Sequence, residues 1–347
     1  MQIAVIGVGL IGGSIGRAAR ERLQAHVRGY DPLPGAAAHG AVDVEAESVA
    51  DAVAGADAVF VAVPVGELRE VVDAVLDVAP AHCVVSDAGS TKRPLQGIAD
   101  PRFVGGHPLA GAETSGVEHA RADLFDGATW YLTPGKATEG VLYDRLDGIV
   151  RGLGARPLAL EAATHDRLMA TVSHLPHVLA NVLVAQAARA LDEEGEALPA
   201  TGPSFRDATR VAGAPTSVWR DIYTSNAEAL CPVIDETIAR LQAVRAVLAD
   251  PESVGAWNDA ARLDRRRLHG ADLTGEAVHE LRVSVPNRPG VVAEVALALG
   301  RRSVNIADMG LHPAADNASG VIALWIAGDP AEAERIVTEL GLPVARA

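Results

Sequence analysis

The sequence predicts a three-part chain: a doubly wound α/β domain over residues 1–160, an all-helical domain over 161–272, and a small ferredoxin-like βαββαβ unit over 276–347. Three observations carry this division. Strand-length apolar runs alternate with helical spacing up to about residue 160. Ala/Leu/Val-rich helical periodicity then runs on with few strand signals, and alternating strand patterns return after Gly275.

Ile3-Ala4-Val5-Ile6 is an unbroken apolar run, as in a strand buried on both faces, and Gly7-x-Gly9-x-x-Gly12 then opens a helix. Gly7 permits the tight turn, Gly9 removes a side chain that would block a pyrophosphate, and Gly12 lets helix and strand approach closely. The helix N-terminus adds free N–H groups and a partial positive charge. A second strand over 25–30 ends in Asp31, 19 residues after Gly12. An acid there meets the ribose hydroxyls of NAD and repels the 2′-phosphate of NADP. The pattern predicts a dinucleotide site that takes NAD.

Residues 56–64 form a third apolar run, ending in Val63-Pro64, and a helix over 67–79 carries Leu68, Val71, Val72, Val75 and Leu76 at helical spacing. Strands over 83–87, 103–106, 130–133 and 155–159 complete the sheet. Ligands of such folds sit at the carboxyl ends of the strands. Gly7, Gly9, Leu10, Ile11, Gly12, Asp31, Val63 and Pro64 are therefore the expected cofactor-binding set. In the helical domain the most apolar stretch, 178–189, is shorter than a membrane span and reads as a buried helix, suited to packing on a partner subunit. The last unit reads as a strand over 280–286, a helix over 291–300, strands over 304–306 and 321–326, a helix over 330–340 and a short strand over 343–345.

A net charge of −15 leaves no Lys/Arg-rich face for nucleic acid, and an acidic protein that binds an acidic ligand needs a few well-placed arginines. Cys83 and Cys231 are too few for a disulfide framework or a zinc site and fit a reducing cytoplasm. The N-terminus enters a strand at once, so no signal peptide and no membrane attachment are expected.

Three clusters could carry chemistry. Asp87-Ala88-Gly89-Ser90-Thr91-Lys92 lies where a strand gives way to a helix, so Ser90 or Thr91 suits either an N-cap or a ligand group. Gly105-Gly106-His107-Pro108 holds His107 just past a strand end, as a proton acceptor or as a hydrogen-bonded loop histidine. In the helical domain come Ser173-His174-Leu175-Pro176-His177, Asp207-Ala208-Thr209-Arg210 and Trp219-Arg220-Asp221. No Cys or carboxylate motif completes a metal site around the two histidines, and Pro176 disturbs their helix, so no metal is expected. Asp207 and Arg210, three apart, fit an intrahelical ion pair. Beside a buried ligand carboxylate, Arg210 would instead contribute roughly 1.5–3 kcal/mol.

Together, in this order, the glycine loop, Asp87-Ala88-Gly89-Ser90, Gly105-Gly106-His107-Pro108-Leu109-Ala110-Gly111, Ser173-His174-Leu175-Pro176-His177 and Asp207 to Asp221 resemble the prephenate dehydrogenase family. The resemblance covers about residues 1–270 and implies a Rossmann domain followed by a helical substrate and dimerisation domain. It implies oxidative decarboxylation of prephenate by NAD in tyrosine biosynthesis. His107 matches the catalytic base and Ser90 the serine that orients it. Arg210, His177, Ser173, Glu113 and Trp219 match substrate-binding positions, and Glu113, Asp166 and Asp207 match acids that gate or pair with Arg210. Residues 278–347, with Val285-Pro286-Asn287-Arg288-Pro289-Gly290 and Asn305-Ile306, resemble an ACT domain. That implies allosteric regulation by an amino acid, tyrosine foremost, and the family implies a homodimer. Thr201-Gly202-Pro203-Ser204 departs from the family's glycine run, and Pro203 has no N–H for a main-chain contact.

Rival readings share parts of this pattern. An arogenate dehydrogenase performs the same chemistry with an amine in place of the keto group. A hydroxyacid or imine reductase has a similar glycine loop, yet no catalytic lysine stands on a helix in the expected place. A non-catalytic NAD-linked amino-acid sensor would have no use for a base at His107.

Overall fold

The computed structural model describes the chain except residues 34, 112–113, 195–201, 272–277, 315–317 and 347. Its contacts divide it into two compact units, Met1–Ile238 and Ala239–Ala347.

The first unit begins with β1 (Gln2–Ile6), α1 (Leu10–Leu23), β2 (His26–Tyr30), β3 (Val44–Glu45), α2 (Val49–Val53), β4 (Ala58–Val61), α3 (Leu68–Val78) and β5 (Val84–Asp87). It continues through β6 (Phe103–Pro108), β7 (Thr129–Pro134), α4 (Gly140–Gly152) and β8 (Arg156–Ala159). The strands form one sheet in the order β3-β2-β1-β4-β5-β6-β7-β8. All neighbours are parallel except β6 and β7.

Both faces of this sheet are covered, which is why its central strands read as continuous apolar runs. Ile3 and Val5 of β1 join a core with Ile15 of α1 and Leu146 of α4, while Ala4 and Ile6 join the opposite core with Leu68 and Val72 of α3. The buried residues of α3 are Leu68, Val72, Val75 and Leu76, the face expected from the spacing. One expectation is corrected. His107 does not lie past a strand end: pairing with β7, His107 opposite Tyr131, extends β6 through Pro108.

The helical part comprises α5 (Ala162–Met169), a π-helical turn (Ala170–His174), α6 (Leu175–Glu194), α7 (Pro203–Thr209), α8 (Thr216–Ser225), α9 (Ala227–Val247) and α10 (Pro251–Ala271). Pro203 stands at the first position of α7, with Gly202 as N-cap. A missing N–H is harmless there, so the departure from a glycine run starts a helix. Pro176 does not interrupt the helix either, because it falls in the first turn of α6 and the π turn before it adjusts the backbone. A continuous helix spans Ala162–Arg189, long and apolar enough to cross a membrane by length and composition alone. The stretch expected to be buried is largely exposed in the single chain, with Val182 at 57% and Leu183 at 44% exposure.

The C-terminal part is β9 (Val278–Pro286), α11 (Val291–Gly300), β10 (Asn305–Pro313), β11 (Ser319–Ala327), α12 (Pro330–Glu339) and β12 (Val344–Arg346). The order β10-β11-β9-β12, antiparallel throughout, is the ferredoxin-like arrangement expected. Val283, Val295, Leu324 and Ile336 pack one face of the sheet against α11 and α12. On the other face, within the same unit, the Arg265 guanidinium of α10 lies 5.1 Å over the Trp325 ring.

Candidate active site

The glycine loop has the geometry its sequence implies. Gly7 takes φ +86°, and a Cβ on it would stand 2.6 Å from the Ala62 carbonyl oxygen. A Cβ on Gly12 would stand 1.9 Å from the Gly7 oxygen, whereas one on Gly9 would meet nothing within 4 Å. Turn and packing therefore demand Gly7 and Gly12, and Gly9 leaves open space before α1, where phosphate would bind. Asp31 stands against this loop: its carboxylate accepts the Val8 N–H at 2.7 Å and the Leu33 N–H at 2.8 Å. Val63 also flanks the loop, its Cγ1 3.0 Å from a Cβ built on Gly7.

At the end of β5, Asp87 ties the strands together. Its carboxylate accepts the N–H of Gly106 at 3.0 Å and of Gly89 at 2.9 Å, and it pairs with the buried Lys92 ammonium. Lys92 also donates to the Gly106 carbonyl, immediately before His107. These bonds fix the backbone from which the His107 ring projects. His107 Nδ1 lies 2.8 Å from His165 Nε2, and His165 Nδ1 lies 2.8 Å from Asp166 Oδ1. Burial, then the neighbouring His165, Lys92 and His174, hold the His107 imidazole well below its ordinary value of 6.5. It is therefore neutral and able to accept a proton at neutral pH.

Asp166, expected as a partner of Arg210, is committed elsewhere. Its two oxygens accept the N–H groups of Lys92 and Arg93, each at 2.8 Å, besides meeting His165. Its backbone carbonyl accepts from Asn226, whose amide also reaches His174 Nδ1 at 3.1 Å. Burial, with His165 and His177, lowers His174 to about 4, opposed by Asp166. Thr91 caps no helix; its hydroxyl meets that of Ser225 at 2.9 Å and joins this segment to α8.

One cavity of about 790 Å³ brings the predicted residues together. Ser90, His107, Ser173, His174, Arg210 and Trp219 are among those that line it, so the imidazole at 107 and the guanidinium at 210 share a cleft. Arg210 opens the 3-10 turn after α7 and is exposed at the cavity's edge. His177 is not among the lining residues: it is buried behind them, stacks on Trp219 with ring centroids 3.5 Å apart, and bonds Tyr223. Trp219, an expected substrate-binding residue, and His174, at the end of the π turn, line the cavity. Glu113 lies outside the described residues. Among the described residues no group of His, Cys, Asp or Glu could hold a metal ion.

Sequence reasoning missed Lys92, His165 and His174 as parts of the site. The signal for Lys92 was a lone lysine in an otherwise small-residue turn. For His165 it was a His-Asp pair opening the first helix after the sheet.

A glycine loop at the strand ends of such a sheet, together with a cavity lined by a buried histidine, defines a nucleotide-dependent oxidoreductase of the Rossmann class. Sequence comparison narrows the class. The family model for the nucleotide-binding domain of prephenate dehydrogenase matches residues 15–158, and that for its dimerization domain matches 161–258. The chain belongs to the prephenate dehydrogenase family. It is 34% identical over 263 residues to the cyclohexadienyl dehydrogenase of Zymomonas mobilis, covering 72% of this chain and 89% of that one. It is 29% identical over 345 residues to the prephenate dehydrogenase of Bacillus subtilis, covering 94% and 92% respectively. The crystal structure of Aquifex aeolicus prephenate dehydrogenase in complex with hydroxyphenyl propionate and NAD+ superposes with a TM-score of 0.69 at 27% identity. That match covers 77% of this chain and 98% of the other.

Proposed function

We propose that the protein oxidatively decarboxylates prephenate to 4-hydroxyphenylpyruvate with NAD, a step of tyrosine biosynthesis carried out in the cytoplasm. The observation that carries this reading is the shared cavity of His107, Ser90 and Arg210. Prephenate offers a ring hydroxyl, a ring carboxylate and a pyruvyl carboxylate. His107 accepts the hydroxyl proton, Ser90 orients that hydroxyl, and Arg210 holds a carboxylate through its planar fork. NAD, when bound over the open Gly9, supplies the hydride acceptor. Aromatisation drives the loss of CO₂, so the protein's main task is positioning.

The deciding experiment measures NAD reduction with prephenate and arogenate side by side. Turnover of prephenate with CO₂ release supports the reading, and turnover of neither substrate sinks it. Both belong in the assay because one relative is a cyclohexadienyl dehydrogenase. Arg210→Gln should raise the KM for prephenate roughly 10–100-fold, the loss of one charged hydrogen-bonding partner, with a smaller effect on kcat. An unchanged KM would reject the carboxylate role. Asp31→Ser should shift the kcat/KM ratio toward NADP by removing the charge that faces a 2′-phosphate. An unaltered ratio would contradict the ribose assignment.

The C-terminal unit is proposed to be an ACT domain that binds an amino acid, tyrosine foremost, as a feedback inhibitor. Its sheet order supports this, as does a cavity of about 1050 Å³ on the face not covered by α11 and α12. Arg265, Arg266 and Arg282 there suit a carboxylate, and Trp325 suits a ring. Deleting residues 275–347 should spare turnover and abolish inhibition by tyrosine; inhibition that persists would put the effector in the catalytic cavity. A homodimer through the exposed apolar side of α6 is proposed on the same footing, supported by the family's dimerization-domain match.

A further inference from the structure

We propose that Asp166 and His165 form a hydrogen-bonded relay that fixes the tautomer of His107 and so leaves His107 Nε2 as the proton acceptor. This rests on the reading of His107 as the base. The direction of each bond follows from the acceptor at the end of the chain. An ionised carboxylate has no proton to give. Asp166 is used as an acceptor at both oxygens, by the backbone N–H groups of Lys92 and Arg93 at 2.8 Å each, so the carboxylate also accepts where it meets the His165 ring. His165 therefore carries its proton on Nδ1.

A neutral imidazole protonated on Nδ1 has its lone pair on Nε2, and that nitrogen faces His107 Nδ1 at 2.8 Å. His107 Nδ1 must then be the donor. What remains on a neutral His107 is a lone pair at Nε2, on a side chain that lines the cavity. An unconstrained neutral imidazole favours the opposite form, with its proton on Nε2, so the relay reverses the default. Protonating His165 would flip the bond and remove the base.

The relay is rigidly held. His165 is fully buried, and the Tyr131 ring packs edge-on against it at 5.5 Å and 79°. The other titratable groups facing the pair are Lys92, His174 and Tyr131. The Lys92 ammonium is engaged by Asp87 and the Gly106 carbonyl, and the His174 ring accepts from Asn226. In the reaction the substrate O–H bond breaks and an N–H bond forms at His107 Nε2 while hydride leaves the carbinol carbon for the oxidised dinucleotide. Loss of CO₂ then returns an electron pair to the ring, and the same oxygen takes the proton back as a phenol. His165 and Asp166 are positioning residues that stabilise the imidazolium between these two transfers.

Two measurements test this on the full chain. In ¹⁵N-labelled protein, neutral His107 should show a protonated Nδ1 and a bare Nε2; a protonated Nε2 overturns the relay. His165→Phe, which cuts the chain, should lower kcat about 10²–10³-fold with the KM for prephenate and the affinity for NAD nearly unchanged. His165→Gln, which keeps an acceptor near the Nε2 position, should regain at least about tenfold of that loss. Equal losses in both variants, or losses tracking only their melting temperatures, would reduce His165 to packing and overturn the proposal. A wild-type chain with the Nδ1–H tautomer but no turnover of prephenate would sink the substrate reading and leave the relay standing.

Discussion

His107→Asn should lower turnover about 10²–10⁴-fold while leaving NAD affinity within a factor of about two. Asparagine keeps a polar group near the Nδ1 position, so the bond to His165 at 2.8 Å survives while the lone pair at Nε2 is lost. A Cβ on Gly9, at the site expected for phosphate, would meet nothing within 4 Å, so the His107 ring does not touch that position. Steady-state rates with prephenate, beside NAD titration by fluorescence, separate the two effects. A rate like that of the wild type would remove His107 as base. A matching loss of NAD affinity would mean that the substitution disturbs the nucleotide domain instead.

The second large effect concerns stability. Lys92→Met should destabilise the first unit by about 3–5 kcal/mol, because it leaves the Asp87 carboxylate buried without its counter-charge. Both side chains are essentially inaccessible, at 1% and 0% exposure. Burial already lowers the Lys92 ammonium below its ordinary value, with Asp87 opposing that shift. The remaining partners of Asp87, the N–H groups of Gly89 and Gly106, are dipoles and not charges. Urea melts monitored by circular dichroism give the midpoint. The double variant Asp87→Asn, Lys92→Met should recover part of the loss, since no net charge then stays in the interior. A single variant as stable as the wild type would show that water reaches the pair.

Much of this was legible in the chain, and the limits have physical causes. Strands buried on both faces announce themselves as apolar runs, so β1 and β5 were found within a residue, and the run over 56–64 contains the shorter β4. The glycine loop was read residue by residue because each glycine answers a separate steric demand. The helix α4 was missed: Leu142, Leu146, Ile149 and Val150 keep the helical spacing, but Gly140, Gly148 and Gly152 weaken its local signal. The two-residue β3 has no pattern of its own to read. Placing His107 past its strand failed because pairing with β7 lies far along the sequence. The stacking of His177 on Trp219 joins residues 42 positions apart, and the π turn before Leu175 has no local pattern to read. The link from His107 to His165 joins residues 58 positions apart, and spacing rules have no hold on such a pair.

The reversal of direction between β6 and β7 has a consequence for how this scaffold can change. It turns the segment carrying the imidazole into an interior rung of a backbone ladder, anchored by main-chain bonds on a second strand. The neighbouring walls of the cleft, after Leu109 and on the helices, lie outside that lattice. Selection or engineering could thus redraw which ring substituents are admitted while the proton-handling group stays in register.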